Sequence, residues 1–440
     1  MIKIKDKIAS GLGSILEWYD FALYGFFAPL IAQLYFPSAE PSIGLLKTFS
    51  VFAIGFFARP LGALLFGYIS DKHGRTTSLK LTPLLIACPT LLLSILPTYQ
   101  QIGIFATIIL IMLRIWQGIC IGGEYANNIV YLCESTQPKH VYFLGSIGSC
   151  TGSFGILLAS SIATLWYEIF PSHSLLLWGW RIAFAISLII AILTYLMRRN
   201  MLETPVFQQG LKTKIAINNP ILASYKDQWQ DYLIACGLTF LPATAFYYVF
   251  MFLPNYLNSM LKFDADKILG DNSFSLLIRL FIIPFLGLVA DKIGGIRIAR
   301  LSCILFLLLS FPLFYGIIYY PTFTNVFIYG FALLTTLNAA TTPGLLVELL
   351  KPETRCTILS FTFNFCFGVF GGIVPIISFL LVNELGSKMA SIYYLMFAAV
   401  ITLIATFFFK KGRQNIWLQI ITHLSLRIQP NKHSSNTLVH

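Results

Sequence analysis

RPLGALLFGYISDKHGR at residues 59–75 and RLFIIPFLGLVADKIGG at residues 279–295 decide how this chain is read. Aligned, they share an arginine (Arg59, Arg279), a glycine (Gly67, Gly287), an aspartate (Asp71, Asp291) and a second glycine (Gly74, Gly294), all offset by 220 in a chain of 440 residues. A weaker echo pairs Glu134 and Pro138 with Glu348 and Pro352, offset by 214. Two echoes at nearly one offset indicate duplication of a unit half the chain long.

Each quoted stretch ends an apolar run, and such runs fill the chain. Hydrophobic residues make up 57% and charged residues 11%, against about a quarter charged in soluble chains. There is too little polar surface for water, so the solvent is the lipid bilayer. Twelve runs reach the roughly 20 residues a span needs: 8–36, 46–70, 78–97, 103–133, 141–168, 179–197, 232–257, 270–290, 298–318, 323–350, 356–383 and 389–409. The eighth is the least apolar, with Asp271, Asn272, Ser273 and Arg279 in its first half. The expected fold is an all-α integral membrane protein with twelve transmembrane helices in two pseudo-symmetric six-helix halves. Residues 1–197 form the first half, 198–231 a polar linker, 232–409 the second half and 410–440 a tail. Parallel halves of this kind place a solute site at their interface.

The net charge of +12 belongs to loops rather than to a nucleic-acid surface, because no basic patch interleaved with aromatics occurs. Of the 30 Lys and Arg, 22 fall on or beside the side that holds both termini; Lys47, Arg181, Lys262, Lys267 and Lys388 fall opposite. The positive-inside rule then places both termini in the cytoplasm. The basic start of the chain precedes an apolar run too long for a signal peptide, so it is expected to stay as the first helix. The eight cysteines form no CxxC pair, and His73, His140 and His173 have no ligand spacing, so no metal or cofactor is expected. No Walker motif or Ser/His/Asp set appears, which argues against an ATP-driven pump or an enzyme.

Six charges lie well inside spans: Glu17, Asp20, Arg59, Arg114, Glu124 and Arg279. Each costs about 2.5–3.5 kcal/mol if left alone, so they must pair or line a wet cavity. At about 1.5 Å per residue, Asp20, Arg59 and Arg114 lie roughly 17–18 Å in from a span end, near the midplane. Arg114, Gln117, Ile121, Glu124 and Tyr125 share one face at helical spacing, with Gly118 and Gly122 as a close-packing edge. Gly67 allows close helix approach, Gly74 a tight turn, and Asp71 and Arg75 can pair with each other or with a helix end.

Gly67-x3-Asp71-x2-Gly74-Arg75 resembles the loop 2–3 signature of the major facilitator superfamily, and Arg114-x3-Gly118-x3-Gly122 resembles the span-4 signature of its proton-coupled members. Glu17-Trp18-Tyr19-Asp20-Phe21, Arg59-Pro60-Leu61-Gly62, Gly122-Gly123-Glu124-Tyr125 and Leu202-Glu203-Thr204-Pro205 resemble the metabolite:proton symporter branch, which includes proline/betaine, α-ketoglutarate, citrate and shikimate transporters. Thr76 and Thr77 depart from the basic residues usual after the loop arginine, and the second copy ends in Gly294-Gly295. The tail shows no sustained heptads of the kind found in osmosensing carriers.

The expected function is proton-coupled import of a small carboxylate-bearing metabolite or osmolyte by alternating access. The proton gradient drives it, and the partners are solute, protons and lipid. Glu17, Asp20, Arg114 and Glu124 are candidates for proton coupling, with Arg114 as the cationic partner. Arg59, Arg114, Gln117, Tyr24 and Tyr125 are candidates for holding the solute. Gly67, Asp71, Gly74, Arg75, Glu134 and Asp291 are candidates for the gate. Aromatics at the same depth, among them Trp18, Tyr19, Trp116, Phe246, Tyr247 and Tyr248, offer faces for a quaternary ammonium. Two rivals are a proton-coupled exporter of amphipathic compounds and a non-transporting receptor on a transporter scaffold.

Overall fold

A computed structural model of the protein describes residues 2–38, 40–212, 219–259, 261–263 and 265–410. These residues contain helices and no strands. Among the described residues, up to 11 apolar helices reach the length of a span when the bent first pair is taken as one, and the shorter Ile392–Phe408 makes a twelfth; they are labelled here in chain order: α1 (Ile4–Phe26, continued by Ala28–Tyr35), α2 (Pro41–His73), α3 (Arg75–Ile95), α4 (Ile104–Glu134), α5 (Val141–Ile169), α6 (Leu175–Arg198), α7 (Trp229–Asn258), α8 (Ala265–Ile293), α9 (Gly295–Tyr319), α10 (Thr324–Leu349), α11 (Arg355–Leu385) and α12 (Ile392–Phe408). The linker region carries two short helices, Pro205–Lys212 and Pro220–Asp227. The tail beyond Lys410 and the linker residues 213–218, including Lys214, lie outside the described residues.

The first span, expected over 8–36, is broken in two. Its two pieces meet at 64° beside Phe27. Pro29 explains the bend, because it donates no backbone hydrogen bond and its ring crowds the preceding turn. The eighth span is helical through the polar stretch expected to weaken it. Asp271 accepts a 2.7 Å hydrogen bond from the Tyr329 hydroxyl, which satisfies it within the fold.

Burial follows the lipid solvent. Outward faces carry exposed Phe57, Leu61, Phe281 and Phe285, while Arg59, Arg75, Arg114 and Arg198 rank among the largest fully buried side chains. One apolar cluster fills the first half around Tyr19, Leu23, Trp180 and Phe184, and another fills the second around Tyr248, Phe306, Phe331 and Leu395. A third crosses between halves, joining Trp18, Tyr125 and Ile129 to Leu345, Leu359 and Phe363. The glycine edge on α4 packs on α2: a Cβ on Gly118 would lie 2.1 Å from the Gly55 carbonyl oxygen, and one on Gly122 2.2 Å from that of Arg59. In α7 and α11 a π-helical turn, Tyr248–Phe252 and Cys366–Gly371, widens the helix beside the interface between halves.

Candidate functional site

The two copies of the repeated stretch form two polar junctions on the side where the chain begins. At the first, Asp71 at the end of α2 accepts from the backbone N–H of Cys356 (3.1 Å) and of Thr357 (2.8 Å), and from the Thr357 hydroxyl (2.8 Å). These are first-turn amides of α11, which have no partner inside their own helix. At the second, Asp291 at the end of α8 accepts from Tyr142 N–H (2.9 Å) and Phe143 N–H (3.1 Å), in the first turn of α5. Each half therefore caps a helix of the other with an aspartate, where the helix dipole favours negative charge. The capped amides are themselves 214 residues apart, the offset of the weaker echo.

Glycines make these junctions possible. A Cβ on Gly67 would lie 2.6 Å from Thr357 Cα, and one on Gly287 3.0 Å from Phe143 Cα. Gly74 (φ 108°) and Gly294 (φ 102°) make the turns that follow, in a region closed to most L-residues. Gly67→Val should force α2 away from α11, at about 1–3 kcal/mol of overlap. If the junction is a gate, that shifts its open population about 5- to 150-fold, and Cys356, buried in this junction, should alkylate correspondingly faster when followed peptide by peptide. An unchanged rate at Cys356 would count against the junction being a gate.

The junctions are unequal. Arg75 donates to Asp71 (3.0 Å), to both oxygens of Glu134 (3.1 and 3.2 Å) and to the Pro352 carbonyl (2.5 Å). Arg355, from the other half, donates to Glu134 at 2.7 Å. Glu134 thus ties two arginines across the interface. In the second copy Gly295 stands at the register of Arg75, and a Cβ there would lie 2.0 Å from the Tyr142 ring. The Tyr142 hydroxyl donates to Glu348, the counterpart of Glu134, at 2.5 Å. An aromatic hydroxyl has taken the place of the guanidinium, which accounts for the missing arginine. The unusual Thr76 is likewise explained: its N–H and hydroxyl donate to Glu203 (3.0 and 2.8 Å), while Thr204 donates to Glu134 (2.8 Å), tying the segment after α6 into the same junction.

Inside the bilayer the expected polar stripe on α4 does not act as one surface. The helix turns at Gly122–Gly123, and its charges separate into different surroundings. Glu17 pairs with Arg59 (2.7 Å), whose Nε donates to Asn364 of α11 (2.9 Å). Glu124 pairs not with Arg114 but with Arg198 (2.5 Å) and accepts from Thr82. Arg198 also donates to the carbonyls of Ala9, Ser10 and Leu79, and a Cβ on Gly13 would collide with this pair. Asp20 has no cation within ion-pair distance among the described residues. It accepts from Thr90 (2.7 Å), Gln117 (2.9 Å) and Ser187 (3.0 Å). Arg114 donates to the other end of Gln117 (2.7 Å) and stacks 4.0 Å from the centre of the Tyr24 ring. Its Nε and Nη2 have no hydrogen-bond partner among the described residues.

Between the halves lies a cavity with about 500 Å³ of empty space, counting its mouth. Tyr125, Ile129 and Ser149 line it from the first half, and Arg279, Thr335, Asn338, Phe363 and Phe367 are among those lining it from the second. Of the residues expected to hold a solute, Tyr125 lines this cavity. Arg59, Arg114, Gln117 and Tyr24 are instead packed among helices, and Trp116 is 39% exposed on the outside. The second half supplies most of the lining, both the apolar part, with Leu346, Leu359, Phe363 and Phe367, and the polar part, with Arg279, Thr335, Asn338 and Thr342 on α8 and α10. Sequence reading missed Arg198, Arg355 and Asn364. Arg198 looked like linker charge beside Arg199, and Arg355 like loop charge, although it follows the Glu348–Pro352 echo by three residues.

Two helical bundles with a shared cavity, joined at one end by aspartate caps, define a carrier of small solutes. Residues 11–375 match the family model of the Major Facilitator Superfamily, and the chain belongs to that superfamily of membrane transporters. A Staphylococcus aureus (strain COL) chain named for proline/betaine transport is 32% identical over 406 residues, covering 90% of this chain and 86% of its own. The proline/betaine transporter of Escherichia coli (strain K12) is 29% identical over 424 residues, covering 91% of this chain and 82% of its own. Among solved structures, the proton:xylose symporter XylE bound to 6-bromo-6-deoxy-D-glucose overlays with a TM-score of 0.70 at 16% identity, covering 92% of this chain and 94% of that one. FucP in the outward conformation overlays at 0.67 and 15% identity, covering 91% and 98%. This is a multi-pass protein of a bacterial transporter family, which implies the inner membrane.

Proposed function

We propose that the protein imports a small carboxylate-bearing solute of the proline or betaine kind together with protons. Residues 1–197 and 232–409 rock against one another, and both termini lie in the cytoplasm. The observation that carries this reading is the cavity between halves whose union at one end rests on capping aspartates, Asp71 and Asp291. Such contacts break and reform at a cost of about 0.5–2 kcal/mol per cap, which suits a two-state carrier. With the caps made, the solute path is closed toward the cytoplasm. The names of the relatives favour the solute class, and the basic residues on the capped side favour the orientation.

Within this reading Asp20 is the proton carrier. It is a buried carboxylate held by neutral donors, with Arg114 one glutamine away as its alternating partner. Glu17 and Glu124 are each held by an arginine in this state, so their part in coupling requires Arg59 or Arg198 to let go.

Purified protein in liposomes should accumulate radiolabelled proline or glycine betaine when the interior is made alkaline. A protonophore should collapse that accumulation to equilibration. Binding without accumulation would turn the reading toward a receptor, and gradient-driven efflux toward an exporter. Uptake indifferent to the protonophore would remove proton coupling.

A further inference from the structure

Arg279 and Arg59 are related by the 220-residue repeat, yet their surroundings differ. Arg59 holds Glu17, whereas Arg279, 8% exposed in the cavity wall, has no carboxylate within ion-pair distance among the described residues. Its Nη1 donates to Thr335 at 2.7 Å, and its Nε has no partner among the described residues. Asn338, three residues beyond Thr335 on α10, lines the same cavity, and its buried Nδ2 also has no acceptor among the described residues. The rings of Phe246 and Phe250 lie 5.5 and 5.4 Å from the guanidinium carbon, which shields one face of the charge from water. Among the described residues no Asp or Glu lines the cavity.

A buried, uncompensated guanidinium is costly, and a carboxylate arriving in the cavity is the group that offsets it. We propose that Arg279, flanked by Asn338 and the Thr335 hydroxyl, is the docking point for the solute's carboxylate, and that the cavity accepts solutes bearing one carboxylate. The rest of such a solute lies against Tyr125, Phe363 and Phe367. Phe363 stacks on Phe367, ring centres 4.1 Å apart, and packs at a tilt against Tyr125, ring centres 4.6 Å apart. Aromatic faces receive a quaternary or secondary ammonium without a counter-acid. A second carboxylate finds no second cation in the lining and is left desolvated and unpaired. The assignment rests on the carrier reading above and places solute recognition in the second half, apart from the proton site on α1.

The test uses reconstituted full-length protein and solute counterflow, which needs no proton gradient. Wild type should exchange proline or glycine betaine, be inhibited only weakly by α-ketoglutarate, and discriminate strongly against prolinamide, which lacks the carboxylate. Arg279→Gln should raise the half-saturating concentration about 30-fold or more and erase the preference for proline over prolinamide. Arg279→Lys, which keeps the charge without the fork, should raise it about tenfold and retain the preference. Asn338→Asp should behave like Arg279→Gln, because a fixed carboxylate would occupy the arginine. Should Arg279→Gln fail to yield monodisperse protein, Arg279→Lys and Asn338→Asp decide the matter. Unchanged affinity and unchanged prolinamide discrimination in the variants would overturn the assignment, as would wild type carrying α-ketoglutarate in preference to the monocarboxylates. A wild type that exchanges none of these solutes would instead defeat the carrier reading itself.

Discussion

Arg198→Leu is expected to destabilise the first half by about 3–5 kcal/mol, the cost of leaving one member of a buried ion pair alone. The guanidinium ties three other helices to α6 at once: two bonds to Glu124 on α4 (2.5 and 3.0 Å), one to Ala9 and one to Ser10 on α1, and one to Leu79 on α3. Both partners are fully buried. Leucine fills part of the space but leaves a carboxylate and three carbonyls facing apolar surroundings. Glu124→Gln leaves the arginine its three carbonyls, so it should be milder. Measured against the single variants Arg198→Leu and Glu124→Leu, the double variant Glu124→Leu/Arg198→Leu should recover part of the loss, and a coupling energy of about 2 kcal/mol is the signature of direct contact. Thermal unfolding in detergent, followed by the monodisperse fraction, supplies all four corners of the cycle. If Arg198→Leu melted at the wild-type temperature, or the two effects simply added, the pair would be dispensable to the fold.

That pair also shows where sequence reading succeeds and where it stops. The fold is legible because lipid imposes a length: a run of about 20 apolar residues has few other uses, and twelve of them in a duplicated register leave little choice. The junctions are partly legible too, since Asp71 and Asp291 repeat at helix ends and a helix end seeks a partner. What they cap is not, because Cys356 and Thr357 contribute backbone amides, and amides carry no signature in a sequence. Charge pairing inside the membrane is harder still. Helical spacing puts Arg114 and Glu124 on one face of an unbroken helix, but the turn at Gly122–Gly123 sends Glu124 toward α6, 74 residues away in the chain. Arg198 sits at the end of an apolar run, where a basic residue is ordinarily read as a topology signal. Arg279 was visible as an intramembrane charge. What set it apart from Arg59, the want of an acid beside it, is a property of three helices meeting and of no single stretch.

Asp20→Asn is expected to abolish proton-driven accumulation, lowering the steady-state ratio to about 1, while counterflow stays within roughly threefold of wild type. The substitution changes almost nothing but the ability to take up and release a proton. Asn has the volume of Asp, its oxygen can still accept from Thr90 and Gln117, and the Ser187 hydroxyl can rotate to accept from the new amide. Because the three neighbours are neutral, no charge is stranded by the change, unlike at Glu17 or Glu124. Under the proposed coupling, the deprotonated carboxylate would compete for Arg114, reaching it once Gln117 moves aside, and the protonated form would release that arginine to its stack on Tyr24. Each passage between states would then carry the proton with the solute. The sign is testable. Lowering the external pH should raise the initial uptake rate in wild type, because more carriers are loaded on the outside, and should leave Asp20→Asn unaffected. Arg114→Gln should uncouple in the opposite sense, because without the competing cation the proton is released poorly inside, which lowers turnover at high internal proton concentration first. A variant lacking the Asp20 carboxylate that still concentrated proline or glycine betaine against its gradient, with the wild-type response to pH, would remove this residue from the coupling path and return Glu17 and Glu124 as the alternatives.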